Sequence, residues 1–161
     1  MTDTYMWQKL RNRFLATEGT YEDLQGIEHP LIAISYDSEG EPVYDNVIEP
    51  NDAKTTEDLA SSDGIWFEIF PLHSQPYQQE LGSTGRNRWT LGLQINVNSP
   101  KTFGTFANDT VYDFIAKQFK RGDIFDGIRV LQTAYRSSAR LVANAYYSEP
   151  VTVMVQADLD I

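Results

Sequence analysis

The residues LGSTGRNRWTLGLQINVNSP, Leu81–Pro100, contain two unlike patterns within this 161-residue chain. From Trp89 onward, apolar residues occupy every second position, and polar residues or glycine fill the positions between them. This alternation is the period of a β-strand with one buried face. The preceding residues, Gly82–Arg88, combine glycines with two arginines and lack the pattern. They predict a pliable, basic loop that joins the strand to an antiparallel neighbour.

Helix and strand patterns flank this stretch on both sides. Met6, Leu10 and Phe14 lie on one side of a helix that begins near Thr2 or Thr4. Short strand-like pieces separated by turn residues follow it. The run IWFEIF then predicts a strand with few polar positions, and we expect both of its faces to be covered.

A second helix is predicted in TFANDTVYDFIAKQFKRGD, after the alternating strand. Its apolar residues recur at helical spacing, acidic residues lie at its start, basic residues lie at its end, and Gly122 is expected to stop it. GIRVLQTAY and VTVMVQADLDI predict further strands. The order predicts one α+β domain over residues 1–161. We expect a mostly antiparallel or mixed sheet, with the N-terminal helix and the second helix packed on one face.

Charge is distributed unevenly along the chain, whose formal net charge is -10. Between Thr17 and Asp63 there are 13 acidic residues and one lysine, whereas Leu81–Arg140 holds nine lysines and arginines and four aspartates. Complementary patches steer docking and fix orientation in an assembly. We therefore predict subunits that bring unlike surfaces together, with a merely solubilising surface as the alternative. Arg129, Arg136 and Arg140 are the candidate subunit-interface residues.

Patterns for catalysis or metal binding are sparse. The chain has no cysteine, no G-x-S-x-G turn and two histidines, His29 and His73, whereas a serine triad needs a histidine beside a nucleophile and a carboxylate. The acidic alternation in DSEGEP, at residues 37–42, lacks the further ligands of a calcium loop and predicts a solvated turn. We expect a protein that is not an enzyme and that needs no metal or cofactor.

The N-terminal sequence MTDTYMWQKLRNRF carries charges where a signal peptide would be apolar, and no segment approaches ~20 consecutive apolar residues. We therefore expect a soluble protein made in a cytoplasm. Tight nucleic-acid binding is disfavoured, because phosphate affinity depends on clustered lysine and arginine and this chain is acidic overall. At most, we expect weak contact with DNA that passes the protein.

Five segments, in the order IWFEIF, QQELGSTGRNRWTLGLQINVNSPKTFGT, VYDFIAKQF, FDGIRV and VTVMVQAD, resemble the tail terminator family of long-tailed bacteriophages with noncontractile tails, which includes the lambda-like terminators. The resemblance spans about Ile65–Asp158. Its most telling part is a pattern of glycine and hydrophobicity at Leu81, Gly82, Gly85, Gly92, Pro100 and Gly104. The stretch Ser35–Asp63 departs from the family pattern, since it is longer and more acidic.

The resemblance implies a virion structural protein at the head-proximal end of a tail, assembled in the host cytoplasm. Members of the family form a ring, usually hexameric, that caps the tail tube, ends its polymerisation and forms the interface to the head or neck. The implied partners are the tail tube protein, a head completion or neck protein and further copies of the same chain, with no membrane. One alternative is a neck or head completion protein that binds the connector. An alternative from another class is a small nucleic-acid-binding or enzymatic domain.

Within this family, the Gly-Arg loop is the leading element for docking on the tail tube. It consists of Gly82, Ser83, Thr84, Gly85, Arg86, Asn87 and Arg88. A glycine-rich loop with two arginines can order against an acidic or polar partner when it binds. The alternative is a flexible connection that has no partner.

Overall fold

The computed structural model describes residues 2–50, 52, 54–56, 59, 64–73, 77–78 and 87–159, which form an α+β fold. The helices are α1 (Thr2–Leu15) and α2 (Asn108–Gln118). The strands before α2 are β1 (Thr20–Glu22), β2 (Glu28–Pro30), β3 (Ile34–Tyr36), β4 (Pro42–Tyr44), β5 (Val47–Ile48), β6 (Trp66–His73), β7 (Tyr77–Gln78) and β8 (Asn87–Pro100). The strands after it are β9 (Ile124–Phe125), β10 (Ile128–Val130), β11 (Tyr135–Arg136), β12 (Arg140–Val142) and β13 (Tyr146–Leu159).

The main sheet of the described residues has the order β5-β6-β8-β13-β10-β9, and β11 and β12 also pair with β13. Its centre is the long antiparallel pair of β8 and β13, which runs from Asn87 opposite Leu159 to Pro100 opposite Tyr146. β6 is antiparallel to β8, whereas β5 is parallel to β6. The predicted α+β class with a mostly antiparallel sheet is confirmed.

One face of this sheet, the core face, carries the hydrophobic core. Side chains alternate along a strand, so the register places the odd-numbered residues of β6, β8 and β13 on the same side. These side chains are almost completely buried: Phe67, Ile69, Leu91, Leu93, Ile95, Val97, Val151, Val153, Val155 and Ala157. The alternation that predicts β8 from the sequence is therefore confirmed.

Helix α1 packs on the core face as its spacing predicts. Met6, Leu10 and Phe14 are fully buried, and the Phe14 ring meets the Phe67 ring edge-on at 5.4 Å between centroids. Three residues spaced by four fall on one side of a helix, so their apolar side chains leave water together. This contact fixes α1 across β6 and β8.

Helix α2 lies beside α1 and adds Val111 and Ile115 to the same core. It ends at Gln118, four residues before the glycine that the sequence analysis expects to stop it. Phe119 leaves helical geometry at φ -124 and ψ 67, and its ring is buried against Phe125. The core contact of Phe119 ends the helix, and Gly122 forms the following turn at φ 88.

The predicted strand GIRVLQTAY is two strands in the structure. β10 ends at Val130 and β11 begins at Tyr135. Between them, the carbonyl oxygen of Ala134 accepts a hydrogen bond from the Tyr112 hydroxyl of α2 at 2.5 Å. The backbone therefore leaves the β13 ladder where α2 provides a competing donor.

The other side of the sheet, which we call the open face, carries the even-numbered residues of the same strands. Several of them are buried, among them Trp66, Asn98, Ser148 and Thr152. Gly92 lies at its centre, where an added Cβ would stand 2.9 Å from Cβ of Leu72 and 3.0 Å from Sδ of Met154. The glycine thus lets these two side chains close over β8 as an apolar strip. Half-exposed polar residues flank the strip: Thr90, Gln94, Asn96 and Gln156.

Candidate subunit and partner interface

The Gly-Arg loop is only partly within the described residues. Gly82, Ser83, Thr84, Gly85 and Arg86 lie outside them, and Asn87 and Arg88 open strand β8. Arg88 donates from Nε and Nη2 to the two carboxylate oxygens of Asp158, at 2.9 and 3.1 Å. This bidentate pair joins β8 to β13 at the end of the ribbon. The structure therefore gives Arg88 a partner within its own chain, and its docking role stays a prediction.

Arg136, a candidate interface residue, belongs to an ion cluster inside its own chain. Its Nε donates to Glu149, and its Nη1 donates to Asp109 at 2.6 Å. The Glu149 side chain is 6% exposed and also accepts a hydrogen bond from Asn108 at 2.8 Å. The guanidinium lies 5.0 Å from the Tyr112 ring centroid. The hydrogen bond to Glu149 is the main cause that raises the pKa of Arg136. The cluster ties β11 and α2 to β13.

Arg129 and Arg140 are exposed, as Arg136 is, but unlike Arg136 neither makes an ion pair with a residue that the structure describes. Tyr135, which is 47% exposed, lies between them along β13. The register pairs Arg129 with Gln156, Tyr135 with Thr152 and Arg140 with Ser148. Partners four residues apart place all three on the open face, about 13 Å from one to the next. We call Arg129, Tyr135 and Arg140 the basic edge.

A second exposed feature is the hairpin of β3 and β4, which pairs with no other strand of the described chain. We call residues 34–45 the acidic arm, since they include four acidic residues and no lysine or arginine. Asp37 closes the turn by accepting the backbone N–H groups of Glu39 and Glu41, both at 2.9 Å. The predicted solvated turn is therefore the tip of this arm.

The acidic arm also exposes apolar side chains, which the sequence analysis did not single out. Tyr36 is 70% exposed, Ile34 47% and Val43 36%. An isolated two-stranded hairpin is marginally stable in water, so these exposed side chains make the arm a candidate for contact with another surface. The signal in the sequence is a short aromatic and β-branched run on each side of an acidic turn with Gly40, whose φ is 81.

Asn46 anchors the base of the acidic arm. Its side-chain oxygen accepts the N–H of Ala33 at 2.8 Å, and its amide donates to the carbonyl oxygens of Leu31 and Ile65 at 2.9 and 3.2 Å. The Asn46 carbonyl oxygen also accepts the N–H of Phe67 at 2.8 Å. One side chain thus connects three backbone segments, so the arm leaves the domain from a fixed base.

The acidic arm and the basic edge lie at opposite edges of the main sheet. The arm leads directly into β5, the outer strand on one side, whereas the basic edge lies on β10, β11 and β12 beyond β13. Four strand spacings separate β5 from β12, a distance of about 19 Å. The fold therefore holds the acidic and basic surfaces apart.

His29 has a structural environment. Its Nε2 lies 2.9 Å from the Asp23 carboxylate, and its ring stacks on Tyr21 with centroids 5.4 Å apart. The hydrogen bond with His29, followed by the bond from the Ile27 N–H, lowers the pKa of Asp23. The Tyr21 hydroxyl accepts the buried N–H of Ile65 at 2.7 Å, and burial raises the Tyr21 pKa. These contacts attach the β1–β2 hairpin to the sheet.

Two further properties concern the described part of the chain alone. Its histidine, aspartate and glutamate side chains form no group of three or more that could hold a metal ion. None of its helices combines the length and the apolar character that a membrane crossing requires.

Comparison with known proteins adds a fold relationship. No family model matches the chain, and no curated protein matches it. A solved protein structure is similar to it with a TM-score of 0.54 and 14% sequence identity, covering 71% of this chain and 79% of the other. At this identity the similarity shows a shared fold, and a shared fold does not establish a shared function.

Proposed function

We propose that this chain is a virion structural protein that caps a phage tail tube, ends tube polymerisation and forms the interface to the head or neck. The observation that carries the proposal is the ordered resemblance of Ile65–Asp158 to tail terminators. In this role the protein acts by binding, as a member of a ring of identical subunits, and performs no chemical step.

The resembling segments support the proposal because they are neighbours in the fold as well as in the sequence. They contribute β6, β8, α2, β9, β10 and β13, which make up most of the main sheet and the second helix on its core face. A resemblance confined to one strand would reflect the common period of half-buried strands. Here it extends over one packed unit, including Gly92, whose place a side chain could not take without displacing Leu72.

The Gly-Arg loop remains the proposed docking element. It leads into β8 at the end of the β8–β13 ribbon, where the pair of Arg88 and Asp158 joins the two strands. The glycines of the loop predict a backbone that can adapt to a partner, at the cost of the entropy lost when it becomes ordered. Asp158 neutralises the charge of Arg88. Arg86 is therefore the loop arginine that the test should change.

The test is the charge reversal Arg86→Glu in a phage that depends on this gene. We expect overlong tail tubes and full heads without tails in the lysate, because an acidic side chain at this position would repel an acidic tube end. Electron microscopy of the lysate measures tail length. Arg121→Glu is the matched control, since Arg121 is exposed beyond α2 and the change in charge is the same. Both variants should fold, as exposed substitutions usually change stability by about 0.5 kcal/mol or less.

Each other outcome has a defined meaning. Tails of normal length that fail to join heads would favour the neck or head completion protein over the terminator. Normal tails and infectious particles from the Arg86→Glu variant would refute docking through the loop. If deletion of the whole gene changed neither tail length nor head joining, the proposed function itself would be wrong.

A further inference from the structure

We propose that the acidic arm of one copy docks on the basic edge of a second copy, so that subunits join head to tail. The inference deepens the proposed function, because it names the surfaces through which a ring would close. The contact itself requires only two copies of this chain.

The acidic arm exposes carboxylates and an aromatic ring that are available to bind a partner. Glu39 and Glu41 are exposed and form no ion pair with any residue in the described ranges. Tyr36 is 70% exposed. Aromatic side chains are among those that contribute most to binding at protein interfaces, so Tyr36 is available for such a contact. The arm is also preorganised, because Asn46 fixes its base, and a preorganised element loses less entropy on docking.

The basic edge offers the complementary chemistry. Arg129 and Arg140 supply two exposed positive charges on the open face, and Tyr135 lies between them. Arginine pairs with a carboxylate and tyrosine packs against an aromatic side chain, so the edge can receive both kinds of group at positions about 13 Å apart. The acidic tip and Tyr36 of the arm present this combination.

The placement of the two surfaces selects a second copy as the partner. They differ from one another, and β5, into which the arm leads, is four strand spacings, about 19 Å, from β12 of the basic edge. An arm anchored at β5 therefore meets the basic edge of a neighbour in a heterologous contact. Repeated contacts of this kind close into a ring when the rotation per subunit permits it.

Cysteine crosslinking tests the contact directly, because the chain has no cysteine of its own. One tagged copy carries Ser38→Cys in the turn of the arm, and another carries Ser138→Cys between β11 and β12. With a short bismaleimide, we expect a crosslinked pair of these two copies. A copy with Thr110→Cys, on the exposed side of α2, replaces the Ser138→Cys copy as the matched control. The reaction is run on concentrated purified protein and on isolated tails.

Charge exchange then tests the chemistry of the contact. Glu39→Lys with Glu41→Lys in the arm copy should lower the crosslinked yield about tenfold, which corresponds to ~1.4 kcal/mol in association. Arg129→Glu with Arg140→Glu in the edge copy should do the same. Combining the two reversed copies should restore the yield. Asp113→Lys, an exposed change on α2, should leave it unaltered. A thermal melt of every variant establishes that it folds.

The outcomes separate the contact from the proposed function. Crosslinks to Thr110→Cys as frequent as those to Ser138→Cys, no crosslink in either preparation, or reversed copies that fold but do not restore the yield would each overturn the contact. Normal capping of tails alongside such results would leave the proposed function intact. Conversely, specific and restorable crosslinks in a protein whose deletion leaves tails unchanged would keep the contact and remove the proposed function.

Discussion

Replacing Arg136 with alanine should destabilise the fold rather than weaken subunit association. The guanidinium joins three elements, since it donates from β11 to Glu149 of β13 and to Asp109 of α2, and lies over the Tyr112 ring. Removing it leaves the Glu149 carboxylate, whose side chain is 6% exposed, with the Asn108 amide as its remaining side-chain partner among the described residues.

The expected size follows from the burial of the two partners. Breaking a buried ion pair by removing one partner costs about 3–5 kcal/mol, because the other charge stays in a poorly solvated place. The Arg136 side chain is 33% exposed, so water already screens part of this pair. We therefore expect Arg136→Ala to lower the free energy of unfolding by about 2–4 kcal/mol. At about 2–4 °C per kcal/mol for a domain of this size, the melting temperature should fall by about 4–16 °C.

Two companion variants locate the loss at Glu149. The Asp109 side chain is 84% exposed, so Asp109→Ala should cost less than about 1 kcal/mol, as exposed pairs do. Glu149→Gln removes the buried charge but keeps an oxygen acceptor. Combined with Arg136→Ala, it should give a protein more stable than Arg136→Ala alone. Urea unfolding followed by circular dichroism measures all four proteins, and Arg140→Ala serves as the exposed-arginine control.

A different result would refute this reasoning. If Arg136→Ala unfolded like the parent protein but failed to crosslink arm to edge, Arg136 would belong to the subunit interface, as its charge alone suggests. If the double variant were no more stable than Arg136→Ala, the loss of stability would not come from the unpaired, buried Glu149 carboxylate.

Two further predictions concern the β1–β2 hairpin. Tyr21→Phe leaves the buried Ile65 N–H without its acceptor and should cost about 1–3 kcal/mol in urea unfolding, whereas a cost below about 0.5 kcal/mol would contradict this assignment. Because the Asp23 pKa is lowered in the folded chain, the stability that this residue contributes is present above its ordinary pKa of 3.8 and is lost as the pH falls through the lowered value. The amide side chain of the Asp23→Asn variant cannot titrate. The melting temperature of this variant should therefore fall less than that of the parent between about pH 7 and about pH 3. Equal decreases would count against the His29 bond as the cause.

Local periodicity predicted the elements whose residues face a core. The alternation from Trp89 predicts β8, and the spacing of Met6, Leu10 and Phe14 predicts α1, because burial of one face constrains every second or every third to fourth residue. Periodicity did not predict where α2 ends. Gly122 is the stronger stop signal in the sequence, but the burial of Phe119 acts three residues earlier, and burial depends on the packed structure.

The roles of the candidate interface residues could not be predicted from the sequence, because arginines with the same charge have different neighbours in the folded chain. Arg136 and Arg140 are four residues apart and look alike in the sequence. Only the fold brings Glu149 against Arg136, whereas Arg140 makes no ion pair within the described part of the chain. The acidic arm is a similar case. The sequence predicts its strands and its turn. It does not predict that the arm leaves the domain from a fixed base, because Asn46 holds that base through a hydrogen bond to Ile65, which lies 19 residues later in the sequence.

The combination of charge and exposed apolar surface is the strongest argument against a merely solubilising role for the acidic segment. A solubilising surface would be charged and free of apolar patches. The acidic arm instead exposes Tyr36 and Ile34 beside its carboxylates, as a docking element does. Contacts between exposed charges are screened within ~8 Å at physiological ionic strength, so a single contact between arm and edge is weak. Under the proposed function, we therefore expect subunits that stay apart in solution and close into a ring where a tube end holds several of them side by side.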